Sequence, residues 1–442
     1  MGIGTVKTVK FGGSSLADAA QFRRVADIVR ADPSRRYVIA SAPGKRNADD
    51  TKVTDMLYRC YEMARAREDI TDYFAKIAER YNAIIRDLGL DYDITGELAY
   101  ICDGINHHTG RDFAASRGEY LSSLILAKYL KYDFIDAESV IFFKENGSFD
   151  SEKTREELRK ELKKHERAVI PGFYGVMPNG TIRTFSRGGS DITGSIVAEA
   201  AEAELYENWT DVSGCLMADP RIVKNPRPIR TVTYRELREL SYMGASVLHE
   251  EAIFPVRAAG IPINIRNTND ADAPGTMIVA GTSEYDAKTV ITGIAGKKGF
   301  SVISVEKDMM NSEIGFARKM LDVLEDNEIS FEHLPSGVDT MSMIVASSEL
   351  EGRREKLLSS INRVCRPDSI VCEDGVALLA VVGRGMVKAR GTAARVFDAI
   401  SGAGVNIRMI DQGSSELNII VGVEEKDLER ALNAIYREFV KD

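Results

Sequence analysis

Lys10-Phe11-Gly12-Gly13-Ser14-Ser15 is the stretch that decides the fold of the N-terminal part of this chain. It closes a short alternating run at residues 6–11, and apolar residues at helical spacing follow it up to position 29. The pattern predicts a strand, a tight glycine-rich turn and a helix N-terminus, which together offer N–H groups and a positive dipole end to an anion. Because the lysine precedes the glycines, the turn is not a Walker loop. The alternative interpretation is a plain β–α turn with a solvent-exposed lysine.

The composition is that of an ordinary globular protein. The chain has 442 residues, of which 44% are hydrophobic and 28% are charged, and this length predicts about two to four domains. A formal charge of −9 argues against a nucleic-acid partner, because phosphate contacts need a basic surface. The absence of a long apolar run and of a signal-peptide pattern favours a cytoplasmic protein without a membrane partner. The five cysteines lack metal-type spacing, which fits reduced thiols in the cytoplasm.

Short apolar runs alternate with longer helical patterns up to about residue 280. Strands are predicted near residues 37–40, 167–170, 204–209 and 261–265. This β-α rhythm is typical of an α/β domain with a mostly parallel sheet and helices on both faces.

The C-terminal part of the chain contains an internal repeat. Gly315 aligns with Gly391 and Asp322 with Asp398 at a constant offset of 76 residues, and the register continues from Gly337 to Gly413. Each copy has the pattern strand, glycine-led helix, strand, turn, strand, helix, which is the βαββαβ ferredoxin-like pattern. Two α+β units with purely structural roles are the alternative.

A second glycine cluster, Ser186-Arg187-Gly188-Gly189-Ser190-Asp191, follows another alternating run and precedes a predicted helix at residues 192–203. Two such turns facing one site would hold a polyphosphate from both sides. Asp191 is either the N-cap of the helix or an acid that orients Mg²⁺ or neighbouring cations. Arg187 suits bidentate pairing with a carboxylate or phosphate.

Two further segments contain residues suited to binding. The nucleotide loop (residues 209–221) starts at a predicted strand end, where α/β proteins bind nucleotides, although its Asp219-Pro220 is also a common turn. Arg117-Gly118-Glu119 begins an amphipathic helix. Glu119 is therefore either an ordinary first-turn glutamate or a ligand for a substrate ammonium group.

Together these segments and the motif Met243-Gly-Ala-Ser-Val-Leu-His249 resemble the aspartokinase branch of the amino-acid kinase family, over essentially the whole chain. The repeat is similar to the paired ACT domains of that branch. The resemblance implies a three-layer α/β/α kinase domain at residues 1–285 and ACT domains at 299–373 and 375–442, with a strand at 290–298 joining the second. It also implies a monofunctional enzyme without a homoserine dehydrogenase domain.

The activity implied by the resemblance is ATP-dependent phosphorylation of the side-chain carboxylate of L-aspartate. The product would be 4-phospho-L-aspartate, in the first step of lysine, threonine and methionine biosynthesis. Such a reaction needs positioning and charge neutralisation, with no general base, because a carboxylate is already a nucleophile. Phosphorylation of glutamate or N-acetylglutamate is one alternative. A non-catalytic amino-acid sensor built on the ACT repeat is another.

The resemblance assigns roles to single residues. Lys10 would stabilise the transferred phosphoryl group, and Asp191 would organise it. On the substrate side, Arg187 would pair with the α-carboxylate and Glu119 with the α-ammonium, near the hydroxyls of Ser41 and Thr54. Mg²⁺ would arrive on the ATP phosphates, without a dedicated protein cage. The residues expected to bind ATP are Lys10, Gly12, Gly13, Ser14, Gly188, Gly189, Ser190, Thr210, Asp211, Leu216, Asp219, Arg221 and Ser246.

Two departures from the family pattern affect these roles. Ser246 stands where many relatives have a lysine, so a nucleotide-side lysine contact is missing or comes from elsewhere. The loop at residues 44–53 is longer than in some branches, which bears on the assignment of Thr54.

The repeat also predicts a regulatory site. Glu332 of the first copy corresponds to Arg408 of the second, and an acidic residue suits a cationic ligand side chain. We therefore expect L-lysine to bind the first copy, with threonine as the other candidate, in a homodimer or tetramer formed through the ACT domains. Exposure of Glu332 on an edge strand is the alternative. The residues expected around the effector are Met310, Gly315, Ser330, Glu332, Ser336, Gly337, Val338 and Asp339.

Overall fold

The computed structural model describes residues 5–107, 109–186, 188–244, 248, 250–281 and 290–440. The strands are β1 (Lys7–Phe11), β2 (Arg35–Ala40), β3 (Asp133–Phe134), β4 (Ala168–Pro171), β5 (Tyr174–Val176), β6 (Ile182–Thr184), β7 (Leu205–Thr210), β8 (Thr231–Thr233), β9 (Ile263–Asn267), β10 (Thr276–Val279), β11 (Gly293–Glu306), β12 (Thr340–Ala346), β13 (Ser369–Val382), β14 (Met409–Asp411) and β15 (Asn418–Glu424).

The helices follow the same chain order and alternate with the strands. They are α1 (Ala19–Ala31), α2 (Val53–Arg65), α3 (Thr71–Leu88), α4 (Thr95–Asn106), α5 (Arg111–Leu130), α6 (Ser151–Leu162), α7 (Gly189–Ala200), α8 (Tyr234–Tyr242), α9 (Glu250–Ala259), α10 (Phe316–Asp326), α11 (Arg354–Cys365), α12 (Thr392–Gly402) and α13 (Leu428–Phe439). Among the described helices, none has the length and apolarity that crossing a membrane requires.

The described residues fall into two compact units. The first lies within Met1–Cys215, Pro228–Tyr234 and Val247–Thr282, and the second within Leu216–Arg227, Arg235–Ser246 and Ser283–Asp442. The domain boundaries inferred from the sequence stay a prediction.

The first unit is built on a sheet with the strand order β3-β4-β2-β1-β7-β9-β10-β8. Most neighbours are parallel, and β9 and β10 are antiparallel. Helices α1 to α5 cover the face that carries Val9 and Trp209, whereas α6 and α7 cover the face that carries Ile39 and Ile170. The predicted three-layer arrangement is confirmed. Because side chains alternate between faces, Lys10 and its β7 neighbour Asn208 lie on the α7 side.

The second unit contains the repeat, with the strand order β12-β11-β13-β15-β14. Strands β11 and β13 are each 14 residues long, and they begin 76 positions apart, as do α10 and α12. Strands β12 and β15 begin 78 positions apart, since the second copy has two more residues after its turn glycine.

The two copies share their central strands. The C-terminal half of β11 pairs with the N-terminal half of β13, and the N-terminal half of β11 pairs with the C-terminal half of β13. Residues 293–297 therefore extend the sheet of the second copy, in which β13 also pairs with β15. The ferredoxin-like pattern of the repeat is confirmed, with strands that run from one copy into the next.

Candidate functional site

Lys10 lies near the carboxyl end of β1 and is only 7% exposed. Its Nζ is 2.6 Å from Oδ1 of Asp191, in the first turn of α7. The sequence separates these residues widely, yet the fold brings together the lysine of the first glycine cluster and the acid of the second. A solvent-exposed lysine, the alternative interpretation of the first turn, is wrong.

Residues 188–191 of the second glycine cluster form the N-terminus of α7. Gly188 is the N-cap with φ of 61°, a left-handed backbone that favours glycine. Asp191 is therefore not the N-cap. The N–H of Asp191 donates to the carbonyl oxygen of Gly188 at 2.8 Å, whereas the amides of Gly189 and Ser190 come before the first residue for which an α-helix offers an acceptor. Ser190 packs closely on Gly172, because a Cβ added to that glycine would lie 2.6 Å from Oγ of Ser190. This end of α7 has the features of an anion-binding turn.

The first glycine cluster differs from the prediction in one respect. Residues Gly13–Leu16 form a short 3₁₀ turn, and α1 begins only at Ala19 with Asp18 as its N-cap. The prediction that an α-helix begins directly at this turn, with its positive dipole end there, is therefore wrong. Position 13 requires a glycine for steric reasons, because a Cβ added there would lie 2.8 Å from the carbonyl oxygen of Ala42. Ser14 lies in the same turn.

Glu119 lies within α5 and is 5% exposed, so the first-turn interpretation of this glutamate is wrong. Burial raises the pKa of its carboxyl group to about 8, although the N–H of Ala42 opposes the shift by donating to it. Its Oε2 has no hydrogen-bond partner among the described residues. The neighbouring Arg117 guanidinium is also buried and lies 4.9 Å from the centroids of three aromatic rings.

Three of the four predicted substrate-side residues come from chain segments that meet at Gly118, whereas the fourth, Arg187, lies outside the described residues. A Cβ added to Gly118 would lie 2.7 Å from Cβ of Ala42 and 3.6 Å from Cγ1 of Val53. Gly118, Ala42 and Val53 are the direct chain neighbours of Glu119, Ser41 and Thr54. The fold therefore places these three predicted residues in one neighbourhood. Ser41 is 9% exposed.

Arg80 of α3 explains how the long loop before α2 is held. It is 6% exposed, and its guanidinium donates to the carbonyl oxygens of Gly44 and of Thr51, the latter at 2.8 Å. It also pairs with Asp50 at 3.2 Å. Sequence analysis missed this residue, whose signal was a charge on the apolar face of α3 beside Tyr81.

The nucleotide loop divides between the two units. Thr210 ends β7, and its Oγ1 donates to Asp211 at 3.2 Å. Leu216 is exposed and belongs to the second unit. There, Arg221 donates to Asp219 at 2.6 Å, which holds the pKa of that carboxyl group below its usual range. Their ATP contacts stay a prediction.

The predicted effector residues lie in the first copy of the repeat. Main-chain hydrogen bonds there join two short segments, residues 307–311 and 338–339. The N–H of Asn311 donates to the carbonyl oxygen of Val338 at 3.2 Å, and that of Lys307 to Asp339 at 2.9 Å. Asn311 follows the buried Met310. The remaining predicted residues of these segments are Gly315, the N-cap of α10, the exposed Ser330, Ser336, which donates to Leu334, and Gly337, whose N–H donates to Thr340.

Glu332 has a specific partner in the second unit, because the hydroxyl group of Tyr242 at the end of α8 donates to its carboxylate. Two glutamates on α8 also contact the repeat. Glu236 accepts from Arg384 at 2.8 Å, and Glu239 from Asn418 at 2.6 Å. The spacing of three residues places all three α8 side chains along one side of the helix.

Two predicted site residues, Arg187 and Ser246, lie outside the described residues. Within the described ranges, no three His, Cys, Asp or Glu side chains converge as metal ligands would.

Comparisons with known proteins agree with this geometry. The model of the amino acid kinase family matches residues 6–267, and that of an ACT domain matches residues 379–439. The chain belongs to the amino acid kinase family.

Its relatives narrow the class. Aspartokinase 3 of Bacillus subtilis (strain 168) is 40% identical over 98% of both chains. The crystal structure of Clostridium acetobutylicum aspartate kinase, described as an allosteric enzyme, has a TM-score of 0.90 and 52% identity over 99% of this chain and 100% of that one. E. coli aspartokinase III, solved with aspartate and ADP (R-state) and with lysine and aspartate (T-state), has a TM-score of 0.72 and 25% identity over at least 98% of each chain. Within the family, this chain is an enzyme of the aspartate kinase class.

Proposed function

We propose that this enzyme transfers a phosphoryl group from ATP to the side-chain carboxylate of L-aspartate, forming 4-phospho-L-aspartate. The observation that carries the proposal is the 2.6 Å pair of Lys10 and Asp191 beside the N-terminus of α7. The complex of E. coli aspartokinase III with aspartate and ADP supports the choice of ligands. We further propose that the reaction is the first step of lysine, threonine and methionine biosynthesis, in the cytoplasm.

Lys10 supplies the positive charge that the reaction needs. The ammonium group is nearly buried and fixed by Asp191, and a preorganised charge in a poorly hydrated site stabilises a transition state strongly. Asp191 holds Lys10 in position at the edge of the sheet. No general base is required, because the attacking carboxylate is already ionised.

The glycine clusters fit a polyphosphate chain. Gly188, Gly189 and Ser190 at the start of α7 would hold phosphate oxygens through their amides, opposite Gly12, Gly13 and Ser14. Bound ATP supplies the phosphoryl group and brings Mg²⁺ with its phosphates, and Asp191 is the nearby carboxylate suited to that ion.

Glu119 fits the α-ammonium group of aspartate. Its buried Oε2 lacks a partner among the described residues, and a buried carboxylate without a partner is costly. An ammonium ligand would provide both a donor and a compensating charge. Ser41 and Thr54 provide hydroxyl groups in the same neighbourhood. Arg187, with its planar fork of donors, would take the α-carboxylate.

The experiment for this proposal measures ADP release by the full chain with aspartate, glutamate or N-acetylglutamate. We expect turnover with aspartate alone and a loss of about 10³-fold in kcat for Lys10→Ala. Turnover only with another acid would replace aspartate as the substrate, and the absence of turnover with any acid would favour a non-catalytic sensor. Full retention of turnover by Lys10→Ala would refute the role of Lys10.

For regulation, we propose that the first ACT copy binds L-lysine through Glu332 and thereby inhibits the enzyme, in a homodimer or tetramer formed through the ACT domains. E. coli aspartokinase III has been solved with lysine and aspartate in a T-state, which supports lysine as the effector. Isothermal titration tests the site. Unchanged lysine affinity in Glu332→Ala would contradict it, and binding of threonine alone would change the effector.

A further inference from the structure

Asn208 occupies an unusual place for an amide side chain. It lies in the middle of β7 and is only 3% exposed. Lys10 is its direct partner in the parallel pairing of β1 and β7, so both side chains lie on the face covered by α7. Nothing in the glycine clusters or the nucleotide loop assigns a role to this residue.

Asn208 contacts the acid of the candidate active site directly. Its Nδ2 donates to Oδ1 of Asp191 at 2.8 Å, and this is the oxygen that Lys10 approaches at 2.6 Å. Two residues earlier on β7, the hydroxyl group of the fully buried Tyr206 donates to the main-chain oxygen of Asp191 at 3.2 Å. Strand β7 therefore holds Asp191 at both its side chain and its backbone.

The two donors to the Asp191 carboxylate, Lys10 and Asn208, differ in charge, and this difference suggests a function. In the proposed reaction Lys10 has a second task, since its charge would also stabilise the phosphoryl group during transfer. A shift of Lys10 toward that group would weaken its bond to Asp191. Asn208 is a neutral donor without such a task, and a hydrogen bond to a charged acceptor is stronger than one between neutral groups.

We propose that Asn208 is a positioning residue that keeps the Asp191 carboxylate in place while the charge of Lys10 is directed at the phosphoryl group. This inference rests on the proposed roles of Lys10 and Asp191. An apolar side chain at position 208 would leave Oδ1 with Lys10 as its single partner among the described residues. The carboxylate would then follow the lysine and keep its charge neutralised.

Two variants of the full-length enzyme test this role. In Asn208→Leu the donor is lost, and we expect kcat to fall by about 10- to 100-fold, the equivalent of one hydrogen bond to a charged group. The KM for aspartate should change by less than about threefold, because Asn208 acts through Asp191 and not on the substrate. A loss confined to KM, or a kcat within twofold of the wild type, would overturn the proposal.

Asn208→Asp provides a readout that a purely structural residue would not give. The introduced carboxyl group has the same shape as the amide, but it donates a hydrogen bond only when protonated. The kcat of N208D should therefore be low at neutral pH and rise relative to wild type as the pH falls. A constant ratio to wild type across the pH range would contradict the proposal. This variant also serves if N208L fails to fold.

Thr8→Val is the matched control. Thr8 lies two residues before Lys10 on β1, is fully buried, and its Oγ1 has no hydrogen-bond partner among the described residues. Replacement by the isosteric valine should leave kcat and the melting temperature close to wild type. If T8V loses as much activity as N208L, the effect belongs to the packing of this face. If Lys10→Ala is fully active, the proposed function itself fails independently of Asn208.

Discussion

Aspartate binding should release a proton from Glu119. Burial raises the pKa of this carboxyl group from 4.5 to about 8, so about nine-tenths of the free enzyme is protonated there at pH 7. A substrate ammonium group needs the ionised form as its partner. Binding at pH 7 must therefore drive the proton into solution.

The size of this effect follows from the distance between the pH and the pKa. Ionising a group one pH unit below its pKa weakens aspartate binding at pH 7 about tenfold. The dissociation constant should therefore fall about tenfold from pH 6 to pH 7 and level off above pH 8. Affinity increases with pH because the free enzyme binds the extra proton.

Isothermal titration of aspartate into the ADP-saturated protein measures the proton directly. Runs in two buffers of different ionisation enthalpy should give about 0.9 protons released per site at pH 7, and none well above pH 8. The Glu119→Gln variant should bind aspartate weakly and release no proton. Tight binding at pH 7 without proton release would refute the pairing of Glu119 with the ammonium group.

The raised pKa of Glu119 also predicts in which direction the free energy of unfolding changes with pH. The folded protein keeps a proton on Glu119 that the unfolded chain releases above pH 4.5. Because the folded state binds more protons, the free energy of unfolding should decrease by about 3 kcal/mol between pH 4.5 and pH 7 from this group. Glu119→Gln should remove that slope in urea unfolding. An identical slope in wild type and variant would contradict the buried, protonated state.

Three further predictions follow from contacts of single residues. Arg80→Met should lower the free energy of unfolding by about 1.5–3 kcal/mol, because the loop before α2 loses charge-assisted hydrogen bonds. The same variant should raise the KM for aspartate. An unchanged KM would show that the loop keeps its position without Arg80. Gly13→Ala should cost about 1–3 kcal/mol of stability and most of the activity, since the new Cβ meets the carbonyl oxygen of Ala42; thermal melting and kcat decide this. Tyr242→Phe should leave the uninhibited kcat unchanged and tighten lysine binding about fivefold, because Glu332 loses a competing donor; unchanged affinity in isothermal titration would remove Tyr242 from the effector site.

Local patterns predicted most of the architecture. An alternating run identified β1, and short apolar runs identified β2, β4, β7 and β9, because buried parallel strands require short apolar segments whatever their neighbours are. The repeat was recognisable because two copies of one fold need the same apolar positions. The predicted start of α1 was wrong. Asp18 caps the helix after a 3₁₀ turn, and the spacing of the apolar residues does not distinguish that turn from the first turn of an α-helix.

The sequence by itself determined the class of fold, the repeat and the two glycine clusters with Lys10 and Asp191, since each rests on neighbouring residues or on a fixed spacing. Only the tertiary structure decided that these two side chains pair, that Asn208 shares the oxygen of Asp191, and that Glu119 is buried with one carboxylate oxygen unpaired among the described residues. Pairing across a parallel sheet joins residues far apart in the chain. Burial, in turn, sets which of their charges are costly, and no local pattern contains that information.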